Sequence, residues 1–207
     1  MKNYYLVSIL FFLTVSCSHD STESNEIVSE ENHTTFNVQS KTSLELNQLV
    51  SQLVSSYQQQ ALNNAPTTLS ATITLLDTIS LQNTSFLQIK PLDYNLTTAI
   101  QAQRFIQNYD DEYANLSIST SVANYFELIL AKETAFDTIL SFVETDNELT
   151  THEKKLLHFI ITCIDNNPPG NGGDNDWDKK MIVATALGFK ENEAQAVFNV
   201  TLLIVNE

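Results

Sequence analysis

Apolar positions recur every three or four residues along most of this chain, and polar stretches interrupt them. The clearest run lies between Thr42 and Asn64, where Leu46, Leu49, Val50, Leu53, Val54, Tyr57 and Ala61 share one helical face. Thr42 and Glu45 precede it at capping-box spacing, each able to satisfy a free backbone donor at a helix start. Pro66 ends the element. Thr150 and Glu153 repeat that spacing ahead of Leu156, Leu157, Ile160, Ile161 and Ile164, which predicts a helix to about Ile164 that stops before Pro168.

Other stretches read less sharply. In residues 67–82, Leu69, Ile73, Leu76 and Ile79 keep helical spacing, while Ile73/Leu75 and Ile79/Leu81 alternate like a strand. The threonines favour strand, but the helical neighbours on both sides turn the reading to helix. SFLQIKPLDY, residues 85–94, reads as an extended connection. A helix is expected from about Thr97 to Tyr109 with Ile100, Ile106 and Tyr109 inward. Over 120–145, Val122, Phe126, Ile129, Phe136, Leu140 and Val143 share a face, giving one long helix or two in near register. WDKKMIVATALG, residues 177–188, predicts a helix closed by Gly188 as a C-terminal cap. ENEAQAVFNVTLLIV is its expected antiparallel partner, although residues 198–205 are β-branched enough to suit a strand.

With only four glycines and few hairpin signals, a sandwich or barrel is disfavoured. The expectation is an all-α, bundle-like single domain of six to eight helices over residues 42–207. A chain of that length buries roughly 70% of its unfolded surface.

The first residues carry an address rather than a fold. Lys2 precedes an apolar run from Tyr4 to Val15, too short to span a bilayer, which takes about 20 apolar residues. A charged start, a short apolar run and small residues after it predict a signal peptide over 1–16. Leu13-Thr14-Val15-Ser16-Cys17 resembles the lipobox of bacterial lipoproteins, with Thr14 where the usual leucine stands. That resemblance implies lipidation at Cys17, a membrane anchor through it, and a place in the cell envelope at the outer membrane or cell surface. Residues 18–41 are polar and acidic and read as a disordered tether after the lipidated cysteine of segment 17–41.

Net charge is −15, and loss of residues 1–16 with Lys2 makes it more negative still. Such a surface repels phosphate backbones, so no nucleic-acid partner is expected. The second cysteine, Cys163, lies in the apolar run LLHFIITCI and reads as a packing residue.

Chemical motifs are sparse. His152 and Glu153 begin an H-E-x-x-H pattern, but its second histidine position holds Leu156 and the next histidine is His158. Glycines at 170, 172, 173 and 188 alone leave no G-x-S-x-G elbow and no phosphate loop. Paired carboxylates for a periplasmic or surface hydrolase stay open, because their separation is spatial.

The connector PPGNGGDNDWD, residues 168–178, concentrates glycine, proline and aspartate next to the single tryptophan. Its bland reading is a Gly/Pro/Asp turn over 168–176, with Asp174 or Asp176 capping the next helix and Trp177 anchoring it. Asp165 to Asp176 also resembles the twelve-residue EF-hand loop, implying a weak calcium site from Asp165, Asn167, Asp174 and Asp176. Pro169 and Gly173 depart from that pattern. An exposed Trp177 would instead suit contact with a protein partner. Gly172-Gly173 is similar to the end of double-glycine bacteriocin leaders, which are N-terminal, unlike this pair. The stretch from Gly173 to Val200 faintly resembles small uncharacterised bacterial lipoproteins and implies no activity. Together these readings describe an exported envelope protein acting as a binding or accessory module.

Overall fold

Capping chemistry sets where most helices begin. The computed structural model describes residues 41–63, 65–167 and 175–207. The signal peptide, Cys17, almost all of the tether, and 168–174 with Asp174 lie outside them. Among the described residues every regular element is α-helical: α1 (Ser43–Ala61), α2 (Leu69–Gln82), α3 (Thr84–Ile89), α4 (Ala99–Ile106), α5 (Tyr109–Ala114), α6 (Thr120–Ala131), α7 (Phe136–Thr145), α8 (Thr151–Asn166), α9 (Asn175–Glu191) and α10 (Glu193–Asn206). Both expected capping boxes are present, at Thr42/Glu45 and Thr150/Glu153, and a third forms at Thr98/Gln101. The fold is all-α. The helix number exceeds the expected six to eight because short α3 and α5 form and the 120–145 stretch divides.

That division falls at Lys132, which adopts a left-handed conformation (φ 56°) at the end of α6. α7 restarts beyond it and places Ile139 and Val143 in the core with Val122, Phe126 and Ile129, while Phe136 and Leu140, expected on that face, are only partly buried.

α2 is helical despite its threonines, and the hydroxyls of three of them bond within the helix and its N-cap. Thr72, Thr74 and Thr78 each donate Oγ1–H to the carbonyl one turn back, at 3.3, 3.0 and 2.9 Å. The extended connection expected over 85–94 is corrected in its first half. Asn83 accepts from the Phe86 N–H at 3.0 Å, opening α3 and burying Phe86 and Ile89.

α4 begins at Ala99, and its inward face differs from the expected one. Ile100 is 78% exposed, while Ala102 and Phe105 are buried. The reason is tertiary, since α9 and α10 cover the side of α4 that carries the alanine.

α10 occupies the centre, packing against α9, α1, α2, α4 and α3. Every residue from Ala194 to Leu203 is buried. A helix covered on all sides has no polar stripe, which is why its sequence resembles a strand. Thr201 tolerates burial by donating to the Val197 carbonyl at 2.7 Å. The α9–α10 pair is antiparallel, with Lys180 near the start of α9 bonding Glu207 after the end of α10 at 2.6 Å.

Gly188 is not the cap it was expected to be. α9 runs through it to Glu191, and the turn to α10 is made at Asn192, whose side chain accepts from the Gln195 N–H at 2.8 Å. Gly188 is instead the crossing point of the two helices, where a Cβ would lie 2.3 Å from Ala196 Cα. The absence of a side chain lets the backbones touch.

Candidate functional site

The calcium ligands expected from the sequence fall only partly among the described residues. Asp165 and Asp176 are exposed, and Asn167 is half-buried, donating Nδ2–H to the Cys163 carbonyl at 2.9 Å. Among the described residues, no group of three or more His, Cys, Asp or Glu side chains is arranged to hold a metal ion. Asp174 lies outside those residues.

Trp177 is buried, and the exposed role considered for it is corrected. Its indole N–H donates to the Asn167 carbonyl at 2.8 Å, fastening the end of α8 to the first turn of α9. An indole satisfied on its polar edge and covered on its faces acts as a packing anchor. Beside it, Asp178 is buried and lies 2.8 Å from the Lys132 ammonium, the residue that ends α6 in a left-handed turn.

Cys163 is fully buried, and its thiol donates to Asn47 Oδ1 at 3.5 Å. Burial pushes its pKa far above the ordinary thiol range, away from nucleophilic use. His152 is exposed and packs its edge on Phe189, whereas His158 lies 2.7 Å from Glu144. Their separate neighbours show that the two imidazoles do not share a site.

A different set of residues does come together. Between the 91–98 connection, α4, and the α9–α10 turn lies a cleft of about 480 Å³. That is within the ordinary range for small-ligand pockets. Its floor is a buried polar network. Thr97 donates Oγ1–H to Asn199 Oδ1 at 2.8 Å, Gln195 Nε2 donates to the same oxygen at 3.0 Å and to Thr97 Oγ1, and Asn199 Nδ2 donates to the Ala184 carbonyl at 3.3 Å. Gln195, which lines the cleft, is 7% exposed, and among the described residues nothing donates to its Oε1.

The rim carries charge of both signs, from Asp93, Glu191, Arg104 and Lys190. Arg104, the chain's single arginine, is already committed, because its guanidinium grips Glu112 in a fork at 2.7 and 2.6 Å. That fork holds the Glu112 carboxyl below the usual range. Lys190, in the last turn of α9, has no carboxylate within reach among the described residues. Lys132, Lys155, Lys179 and Lys180 each have one. Arg104 and Lys190 also line a second cleft of about 350 Å³ that runs past His152 and Glu153, so the two hollows share a wall.

Sequence reading missed this network. The available signal was Gln195 and Asn199 spaced one turn apart on an otherwise apolar helix, a pattern that places two amides on a buried face. Thr97 could not be paired with them from the sequence, because it stands 102 residues from Asn199.

No protein-family model, curated protein or solved structure matches this chain.

Proposed function

We propose that this chain is an exported protein of the cell envelope, lipid-anchored through Cys17 at the outer membrane or cell surface. Its helical domain then acts as a binding or accessory module through the polar cleft. The anchoring half rests on the apolar run and the Ser16-Cys17 junction that follows it. Several acyl chains on one cysteine hold a protein stably, because each buried methylene contributes about 0.8 kcal/mol. No helix among the described residues is long and apolar enough to cross a membrane.

The observation that carries the binding role is Gln195, a cleft-lining amide almost wholly buried whose side-chain oxygen accepts no hydrogen bond among the described residues. Buried polar atoms are normally satisfied, so an acceptor left open on a cleft-lining side chain is suited to receive a donor from a ligand. Asp93 and Glu191, the acids lining this cleft, are solvent-exposed. Hydrolysis by a carboxyl pair calls for environments that push two acids apart in pKa, usually by burying one of them. Exposed acids on the rim favour binding over that chemistry.

Metabolic labelling of the full chain with palmitate tests the anchor. Label is expected in the wild type and none in Cys17→Ser. An unlabelled wild type, or label that survives the substitution, overturns it.

A further inference from the structure

We infer that the cleft binds a small zwitterion, a free amino acid or a short peptide that presents a carboxylate close to an ammonium group. This deepens the binding role above and rests on it.

The argument starts from what the cleft leaves unpaired. Thr97, Asn199 and Gln195 Nε2 satisfy one another on the floor, and Arg104 is neutralised by Glu112 on the wall. Two groups remain. Gln195 Oε1 is an acceptor with no donor, and Lys190 Nζ is a cation with no carboxylate among the described residues. They lie on either side of the α9–α10 turn, and both line the same hollow.

A ligand that answers both needs an anionic acceptor for Lys190 and a donor for Gln195. A carboxylate meets the first by a charge-assisted hydrogen bond. An ammonium meets the second more strongly than a hydroxyl would, because the rim adds Asp93 and Glu191, whose negative charge favours a cation beside them. A simple anion would satisfy Lys190 but would be repelled by those two acids. A simple cation would leave Lys190 unmatched. An amino acid carries both signs on one small skeleton, and the volume of about 480 Å³ leaves room for its side chain or for a second residue.

The rim also fits the chain's overall charge. A protein with a net charge of −15 repels anions over most of its surface. Here Lys190 lines the hollow beside Asp93 and Glu191, with Arg104 held by Glu112, so both signs of charge face a ligand that carries both.

Calorimetric titration of the purified full chain in detergent tests the inference, with glycine, alanine, glutamate and glycylglycine as zwitterions. Acetate and methylamine supply the two half-ligands, and glucose serves as a neutral polyol. Zwitterions are expected to bind, and each half-ligand at least about tenfold more weakly, since a hydrogen bond to a charged group is worth about that factor. Lys190→Met, at an exposed position where folding is not at stake, should weaken glycine about tenfold and leave methylamine unchanged. Gln195→Leu should weaken both, with its melting temperature recorded to separate loss of binding from loss of fold. Acetate binding as tightly as glycine, or glycine binding indifferent to Lys190→Met, overturns the zwitterion. Glucose binding in place of the amino acids overturns it too, but leaves the cleft a binding site. Silence from the whole panel, glucose included, overturns both readings.

Discussion

Gly188 lies so close to Ala196 that a Cβ on it would sit 2.3 Å from the alanine Cα and 2.5 Å from its backbone N. Both neighbours are main chain in the middle of the buried α9–α10 contact, so neither can swing aside as a flexible side chain would. Overpacking a well-filled core typically costs about 1–3 kcal/mol, and a backbone clash belongs at or above the upper end. Gly188→Ala is therefore expected to lower the melting temperature by roughly 6–12 °C, at about 2–4 °C per kcal/mol for a domain of this size. A variant that melts with the wild type would mean that the helices do not cross there.

The Lys132–Asp178 pair gives a second test. Asp178 is buried, so taking away its partner leaves a carboxylate with little water to replace the ammonium. Breaking a fully buried pair costs about 3–5 kcal/mol. The lysine side chain is 34% exposed, which lets solvent screen part of that. Lys132→Met should cost about 2–3 kcal/mol in urea unfolding. Adding Asp178→Asn should recover a large part of it, because the stranded charge is then gone. Equal losses in the single and double variants would contradict this account.

Acid should unfold the domain through its helix starts and its arginine fork. Bonds from Thr42 hold the Glu45 carboxyl below its ordinary 4.5, the Arg104 fork does the same for Glu112, and for Glu153 the Ser119 hydroxyl leads, followed by Thr150. A carboxyl whose folded pKa is depressed stabilises fully above the unfolded value and loses that stability as pH falls through the folded one. Asp77 runs the opposite way, since burial raises its pKa above 3.8 and its contribution is lost as pH rises through the raised value. Three groups outweigh one, so urea midpoints should be level near neutrality and fall as pH drops below 4.5. Ser119→Ala should flatten part of that fall, and an unchanged profile would remove Glu153 from the explanation.

Cys163 should be silent toward thiol reagents in the folded protein. Its thiol is fully buried, and desolvation disfavours the thiolate that would react. In a Cys17→Ser background, labelling is expected only after denaturant is added. Prompt labelling without denaturant would show that α8 opens locally.

Much of this protein is written locally, and the physical reason is range. Capping boxes at Thr42 and Thr150 act between residues three apart, so the starts of α1 and α8 follow from the sequence alone. The apolar stripes of α1, α6 and α8 were likewise readable, because a helix half-exposed to water must carry one polar face. Where the surroundings decide, local pattern fails. α10 has no solvent-exposed polar face because five helices pack on it, so its sequence could not separate helix from strand. Gly188 looked like a cap because a glycine near a helix end usually is one, and only the approach of Ala196 gives it its actual role. Ile100 faces outward although it is the more apolar choice, since the close packing of α9 and α10 on α4 selects Ala102. The cleft depends on the same long-range packing. Thr97 and Asn199 meet only after α4 and α10 are brought together, and no spacing along the chain encodes a contact between residues 102 apart.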